Sequence, residues 1–277
     1  MKRILTALVL IPLVLALVFW APLWLYAAAV AAVAMMAGWE CLGMAERGGF
    51  QPPRTAVMVA LPLLFAGNFE WPDRGMAVFG ILSLGLLICC VFSRPTERVM
   101  ADAAVSIFCL FYVGVTLLAL VNLRDPREEA NGPSILALLF CVVWAGDIAA
   151  LYVGRYWGRR KMAPVLSPKK TWEGAAGSLA ASLLVAGGLL GLAHILESWN
   201  SAVLSYSAGI WYWLVLAAVV NVAAQTGDLV ESALKRSVGV KDSGDILPGH
   251  GGMLDRIDAL LLAAPMLWYA QVIHQMF

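Results

Sequence analysis

Residues 4–20, ILTALVLIPLVLALVFW, run without a single charge and without the apolar–polar alternation of a half-buried strand. A run of that length and evenness reads as a membrane-spanning helix. Working outward, eight further apolar runs follow, near 22–38, 55–68, 76–92, 103–122, 134–154, 175–196, 209–227 and 257–274. The chain of 277 residues is 61% hydrophobic and 13% charged, with mean hydropathy +0.81. Soluble domains carry about a quarter charged residues, so this chain lacks the polar surface that water demands. A transmembrane barrel would need alternating strands, which are absent. The expected fold is all-α, a polytopic membrane protein of about nine transmembrane helices in one integral membrane domain. Helices within 1–130 act as scaffold, and 134–277 carries the polar segments.

The first run follows Met1-Lys2-Arg3 but precedes no small-residue cleavage site and no polar mature domain, so a retained helix is expected rather than a signal peptide. The five cysteines sit in or beside apolar runs without metal-ligand spacing and read as small buried hydrophobes.

Net charge is only +1, but its distribution is one-sided. With the N-terminus in the cytoplasm and nine crossings, sixteen of the 19 Lys and Arg residues fall inside; Arg74, Arg124 and Arg127 fall outside. That is the positive-inside pattern. It also places the two richest polar segments, 155–174 and 225–258, on the face where nucleotides are available.

The second of these contains SALKRSVGVKDSGDILPGHGGMLDRID at 232–258, dense in lysine, arginine and aspartate, with one histidine and five glycines. Such a segment is costly to bury in hydrocarbon. Just before it, Asp228, Glu231 and Lys235 share one helix face at i, i+3 and i+7. Two carboxylates a turn apart suit a hard cation; an ordinary helix end with an internal ion pair explains them equally well. Lys241 and Asp242 lead to Pro248-Gly249-His250-Gly251-Gly252, a tight turn whose N–H groups suit an anion. The alternative is a turn that merely returns the chain to the membrane. Asp255 and Asp258, with Arg256 between them, open the last span. Carboxylates there serve as caps or as ligands, and magnesium takes one or two carboxylates together with substrate phosphates.

In the first segment, Ser167-Pro168-Lys169-Lys170-Thr171-Trp172-Glu173-Gly174 combines lysines and hydroxyls suited to phosphate. A positive-inside anchor accounts for the lysines but not for Ser167 or Glu173. Asp147 lies inside the sixth run, an intramembrane carboxylate and hence a site candidate or the partner of a buried cation. Neither a Walker GxxxxGK[ST] nor a dinucleotide GxGxxG is present. The Gly154/Gly158 and Gly187/Gly191 spacings permit close helix approach.

Ser232 through Asp258 resembles, without a gap, the signature of the phosphatidate cytidylyltransferase (CDP-diacylglycerol synthase) family: S-x-hydrophobic-K-R, then K-D, then P-x-H-G-G, then D-R-hydrophobic-D. The segment at 167–174 and the stretch Asp147, Tyr152, Gly154-Arg155 resemble further motifs of that family; Ile148 departs from it, standing where a small hydroxyl residue is more usual. The resemblance implies transfer of CMP from CTP to phosphatidate with Mg²⁺, giving CDP-diacylglycerol and pyrophosphate in the bacterial inner membrane. It implies Asp228, Glu231, Asp255 and Asp258 as metal ligands, consistent with a second cation. Asp228, Lys235, His250, Asp255 and Asp258 become the catalytic candidates. Asp147, Ser167, Lys169, Lys170, Thr171, Glu173, Arg236, Lys241, Asp242, Gly251, Gly252 and Arg256 become the substrate-binding ones. A homodimer is expected and a nucleic-acid partner is not. A CTP-dependent lipid kinase and a transporter are the alternatives; a transporter would spread its ionisable groups near mid-bilayer over several spans, whereas here they gather at one face.

Overall fold

The computed structural model describes residues 2–127, 131–201, 203–246 and 251–276, with side chains from residue 11 onward. Among these residues the helices are α1 (Lys2–Trp20), α2 (Leu23–Arg47), α3 (Arg54–Glu70), α4 (Gly75–Ser93), α5 (Val99–Cys109), α6 (Thr116–Arg124), α7 (Gly132–Tyr156), α8 (Trp172–Ser198), α9 (Ile210–Ser237) and α10 (Leu254–Met276). A π-helical turn, Leu110–Val115, joins α5 and α6 into one continuous segment, so the helices answer the nine apolar runs one for one. Seven of the segments are long and apolar enough to cross a bilayer. Helix α3, with 17 residues and an internal Pro62, is about 25 Å long, short of the roughly 30 Å of hydrocarbon. The protein is an all-α polytopic membrane protein.

Several helices outrun the apolar run that announces them. Helix α2 continues past residue 38 to Arg47, and α9 continues past 227 to Ser237. Backbone hydrogen bonding does not stop where hydropathy does, and these polar overhangs carry much of the chemistry described below.

The chain divides into two compact units. The first comprises Ala21–Val121 and Ala233–Ile257 with the first few residues. Its core is aliphatic, with Leu42, Leu61, Leu64, Leu110 and Val113 fully buried. Gly38 admits Leu61, whose Cδ1 lies 2.5 Å from the position a Cβ would take. Arg54 closes the α2–α3 connection: its guanidinium lies 3.5 Å over the Trp39 ring and 2.7 Å from Glu46. Helix α4 turns Ile81, Leu84, Ile88 and Phe92 outward, an apolar surface suited to lipid.

The second unit comprises Thr6–Trp20, Asn122–Ser232 and Asp258–Phe277. Lipid tails are as apolar as leucine, so helices in a bilayer are held by close contact and hydrogen bonds rather than by hydrophobic drive. The antiparallel α7 and α8 show both. The α7 face Gly146, Ala150, Gly154 meets the α8 face Ser182, Ser178, Gly174, and a Cβ at Gly174 would stand 2.9 Å from the Ala150 carbonyl. Gly154/Gly158 thus belong to a close contact, with the Thr171 side chain over both. Around Gly187 and Gly191 there is open space instead. Helices α9 and α10 touch where a Cβ on Gly227 would stand 2.5 Å from the Asp258 carbonyl.

Candidate active site

The segment 161–171 forms an antiparallel hairpin, β1 (Lys161–Ala163) with β2 (Ser167–Thr171), rather than an extended approach to the membrane. Strand alternation separates the two lysines: Lys169 is exposed, while Lys170 is half-buried. The Lys170 Nζ lies 2.7 Å from the Asp228 Oδ2 and 3.3 Å from the Gln225 carbonyl. Asp147 lies on α7 in the same unit. This first cluster, an ion pair between α9 and the hairpin, lies wholly in the second unit.

Three other candidates in this segment hold the hairpin in place. The Thr171 hydroxyl caps α8 by accepting from the Gly174 N–H at 3.1 Å. The Glu173 carboxylate accepts from the Arg159 and Arg160 N–H groups at 3.0 and 3.1 Å. Ser167 stands opposite Ala163 in the strand register.

Beneath Asp228, a chain of uncharged polar groups runs into the helices. The Gln225 amide donates to the Asn221 Oδ1 at 2.6 Å, and the Asn221 amide donates to Ser178 and Ser182, each at 2.8 Å. Ser182 donates to the Val142 carbonyl at 2.8 Å. Sequence reading passed over these four residues because amides and hydroxyls barely disturb an apolar run. Their spacing was the available signal: Asn221, Gln225 and Asp228 lie on one face of α9.

A second cluster lies in the first unit, around the end of α9 and the start of α10. The Lys235 Nζ lies 2.6 Å from the Asp255 Oδ1, with side chains only 12% and 11% exposed. The other Asp255 oxygen accepts from the N–H groups of Gly252 (2.9 Å) and Ser243 (3.1 Å). Gly251, at φ +77°, makes the backbone turn that brings Gly252 to Asp255. A residue missed from sequence completes this cluster. Glu40, on the overhang of α2 and 4% exposed, accepts from Met253 N–H (2.9 Å), Leu254 N–H (2.8 Å) and the Ser243 hydroxyl (3.0 Å). It lies just outside the apolar run 22–38, so the signal that singled out Asp147 did not reach it.

The remaining candidates are more peripheral. Arg236 donates to the Val240 carbonyl at 2.8 Å, and Arg236, Lys241, Asp242 and Arg256 are exposed. His250, with Leu247 to Gly249, lies outside the described residues. Asp258 accepts from its neighbour Ala259 N–H at 2.8 Å. Glu231 is fully buried, so it and Asp228 occupy different environments although they are one turn apart. Among the described residues no three carboxylate, histidine or cysteine side chains converge as a metal cluster. What the chain offers instead is two lysine–carboxylate pairs, Lys170–Asp228 and Lys235–Asp255. Each sets a phosphate-seeking cation beside a carboxylate that a hard cation accepts.

Comparison with known proteins agrees with this chemistry. A phosphatidate cytidylyltransferase of Haemophilus influenzae is 33% identical over 288 residues, covering 97% of both chains. One of Synechocystis is 31% identical, covering 90% of this chain and 89% of its own. One of Brucella suis is 42% identical over 207 residues, 74% of this chain and 70% of its own. The family match runs over residues 1–274, and the chain belongs to the cytidylyltransferase family.

Proposed function

We infer that this protein transfers CMP from CTP to phosphatidate, giving CDP-diacylglycerol and pyrophosphate. A phosphate oxygen of phosphatidate attacks the α-phosphorus of CTP, and the bond between that phosphorus and the oxygen bridging to the β-phosphate breaks. The observation that carries this reading is the Lys235–Asp255 pair at the heart of the unbroken 232–258 signature, in a chain related over its full length to enzymes named for this reaction.

Both reactants are anions, and their mutual repulsion is the main obstacle. Lys170 and Lys235 answer it by exchanging a carboxylate for a substrate phosphate, with Lys169, Arg236, Lys241 and Arg256 adding positive charge at the rim. That exchange leaves Asp228 and Asp255 each available to a divalent cation, with Asp258 and Glu231 as further carboxylates. One or two carboxylates with substrate phosphates are the donor set that magnesium prefers, so the scarcity of protein ligands fits it. When bound, the cation neutralises phosphate charge and polarises the phosphorus under attack. The chain's own residues align the attacking and leaving oxygens. The lipid enters from the bilayer and CTP from the cytoplasmic side, the face that the one-sided charge of the loops assigns to these segments. The enzyme works in the bacterial inner membrane as a homodimer.

The test is a reaction of purified protein with phosphatidate and CTP labelled at the α-phosphate, with magnesium present or chelated. Label should enter the lipid only when magnesium is present. Label entering lipid only from the γ-phosphate would make the protein a lipid kinase instead.

A further inference from the structure

Glu40 lies some two hundred residues upstream of the signature, yet its carboxylate is built into it. Its Oε1 accepts from Met253 N–H, and its Oε2 accepts from Leu254 N–H and the Ser243 hydroxyl. Leu254 opens α10 and Met253 immediately precedes it, where N–H groups have no partner within the helix and the dipole favours negative charge. Asp255 grips the same loop, through Ser243 N–H and Gly252 N–H. Four main-chain donors are thus shared between two carboxylates, and Ser243 is held by both. The fit leaves no slack: a Cβ on Gly252 would stand 2.5 Å from the Glu40 Oε2, and one on Gly244 would stand 2.7 Å from the Oε1. Two glycines within the signature segment therefore answer to a side chain outside it.

We propose that Glu40 is a positioning residue for the nucleotidyl transfer. It fixes Ser243 and the backbone of Met253 and Leu254 at the start of α10, and so sets the orientation in which Asp255 meets the divalent cation. This rests on the function proposed above. Partners of that kind contribute about 10- to 100-fold to metal affinity or turnover. Glu40→Gln keeps size and shape but replaces one accepting oxygen with a donor that faces N–H or O–H groups.

In Glu40→Gln we expect turnover to fall about 10- to 100-fold and the magnesium concentration for half-maximal rate to rise about tenfold. Amide hydrogen exchange, read by mass spectrometry, should quicken in peptides covering 241–256 and not in α4 or α7. Ser243→Ala removes one of the three bonds and should raise the magnesium requirement about threefold, as one hydrogen bond warrants; it keeps the test open should Glu40→Gln not fold. A general folding defect would lower the active fraction without moving the magnesium requirement. Unchanged magnesium dependence and unchanged exchange at 241–256 in both variants would overturn the proposal. Should the wild-type protein make no CDP-diacylglycerol, the functional reading fails, while exchange at 241–256 still decides whether Glu40 holds the loop.

Discussion

The two lysine–carboxylate pairs close to nearly the same distance, 2.7 and 2.6 Å, and differ in what surrounds them. Lys170–Asp228 is relatively open, with side chains 21% and 38% exposed, and its lysine comes from a short hairpin. Lys235–Asp255 is nearly enclosed, and its aspartate is held by two main-chain N–H groups. An exposed pair is screened by water and exchanges partners at little cost. An enclosed pair resists loss of either member, because the survivor is left as an uncompensated buried charge. The open pair gives up its partner at little cost; the enclosed pair gives up its partner only when a phosphate and a cation replace the charge each member loses.

Substitutions can break this contrast, and the largest effect is expected at Asp255. Asp255→Asn should lower CDP-diacylglycerol synthesis about a thousandfold in protein that remains monodisperse in detergent; near-normal synthesis would remove Asp255 from the site. Next comes the difference between the lysines. Lys235→Ala should cost about 3 kcal/mol of stability, against at most about 1 kcal/mol for Lys170→Ala, measured by thermal unfolding in one detergent. Equal losses would erase the distinction between an enclosed and an open pair. Both variants should bind CTP more weakly, a loss that equilibrium binding would detect. The smallest effect is expected at the polar chain below the open pair. Asn221→Ala should cost about 0.6 kcal/mol per lost interhelical hydrogen bond and leave turnover within about threefold. A collapse of activity there would make the chain part of the site rather than of its foundation.

Much of the site was legible because it is local. Lys235 lies in the last turn of one helix, and Asp255 opens the next within an unbroken pattern, so their pairing required no long-range information. The hairpin at 161–171 was not legible. Its strands are three and five residues long, and β2 contains Pro168, which argues against a strand interior. Thr171 read as a substrate ligand because a hydroxyl beside two lysines suits phosphate, and Glu173 because it belongs to the same motif; their observed partners are main-chain N–H groups, brought near only when the hairpin closes. Glu40 was invisible for a related reason: an acidic residue just past an apolar run looks like an ordinary helix end.

By itself the sequence determined that the chain lives in a bilayer, where its helices fall, and which segment carries the chemistry. Transfer of apolar side chains from water is additive and local, so hydropathy sums along the chain, and a signature of contiguous residues needs no fold to be read. Only the tertiary structure decided which lysine meets which aspartate, that amides and hydroxyls line the helices below Asp228, and that Glu40 grips the start of α10. Those pairings depend on approaches of a few ångströms between segments as far apart as 214 positions, and short-range electrostatics and hydrogen bonds act only once packing has made the approach.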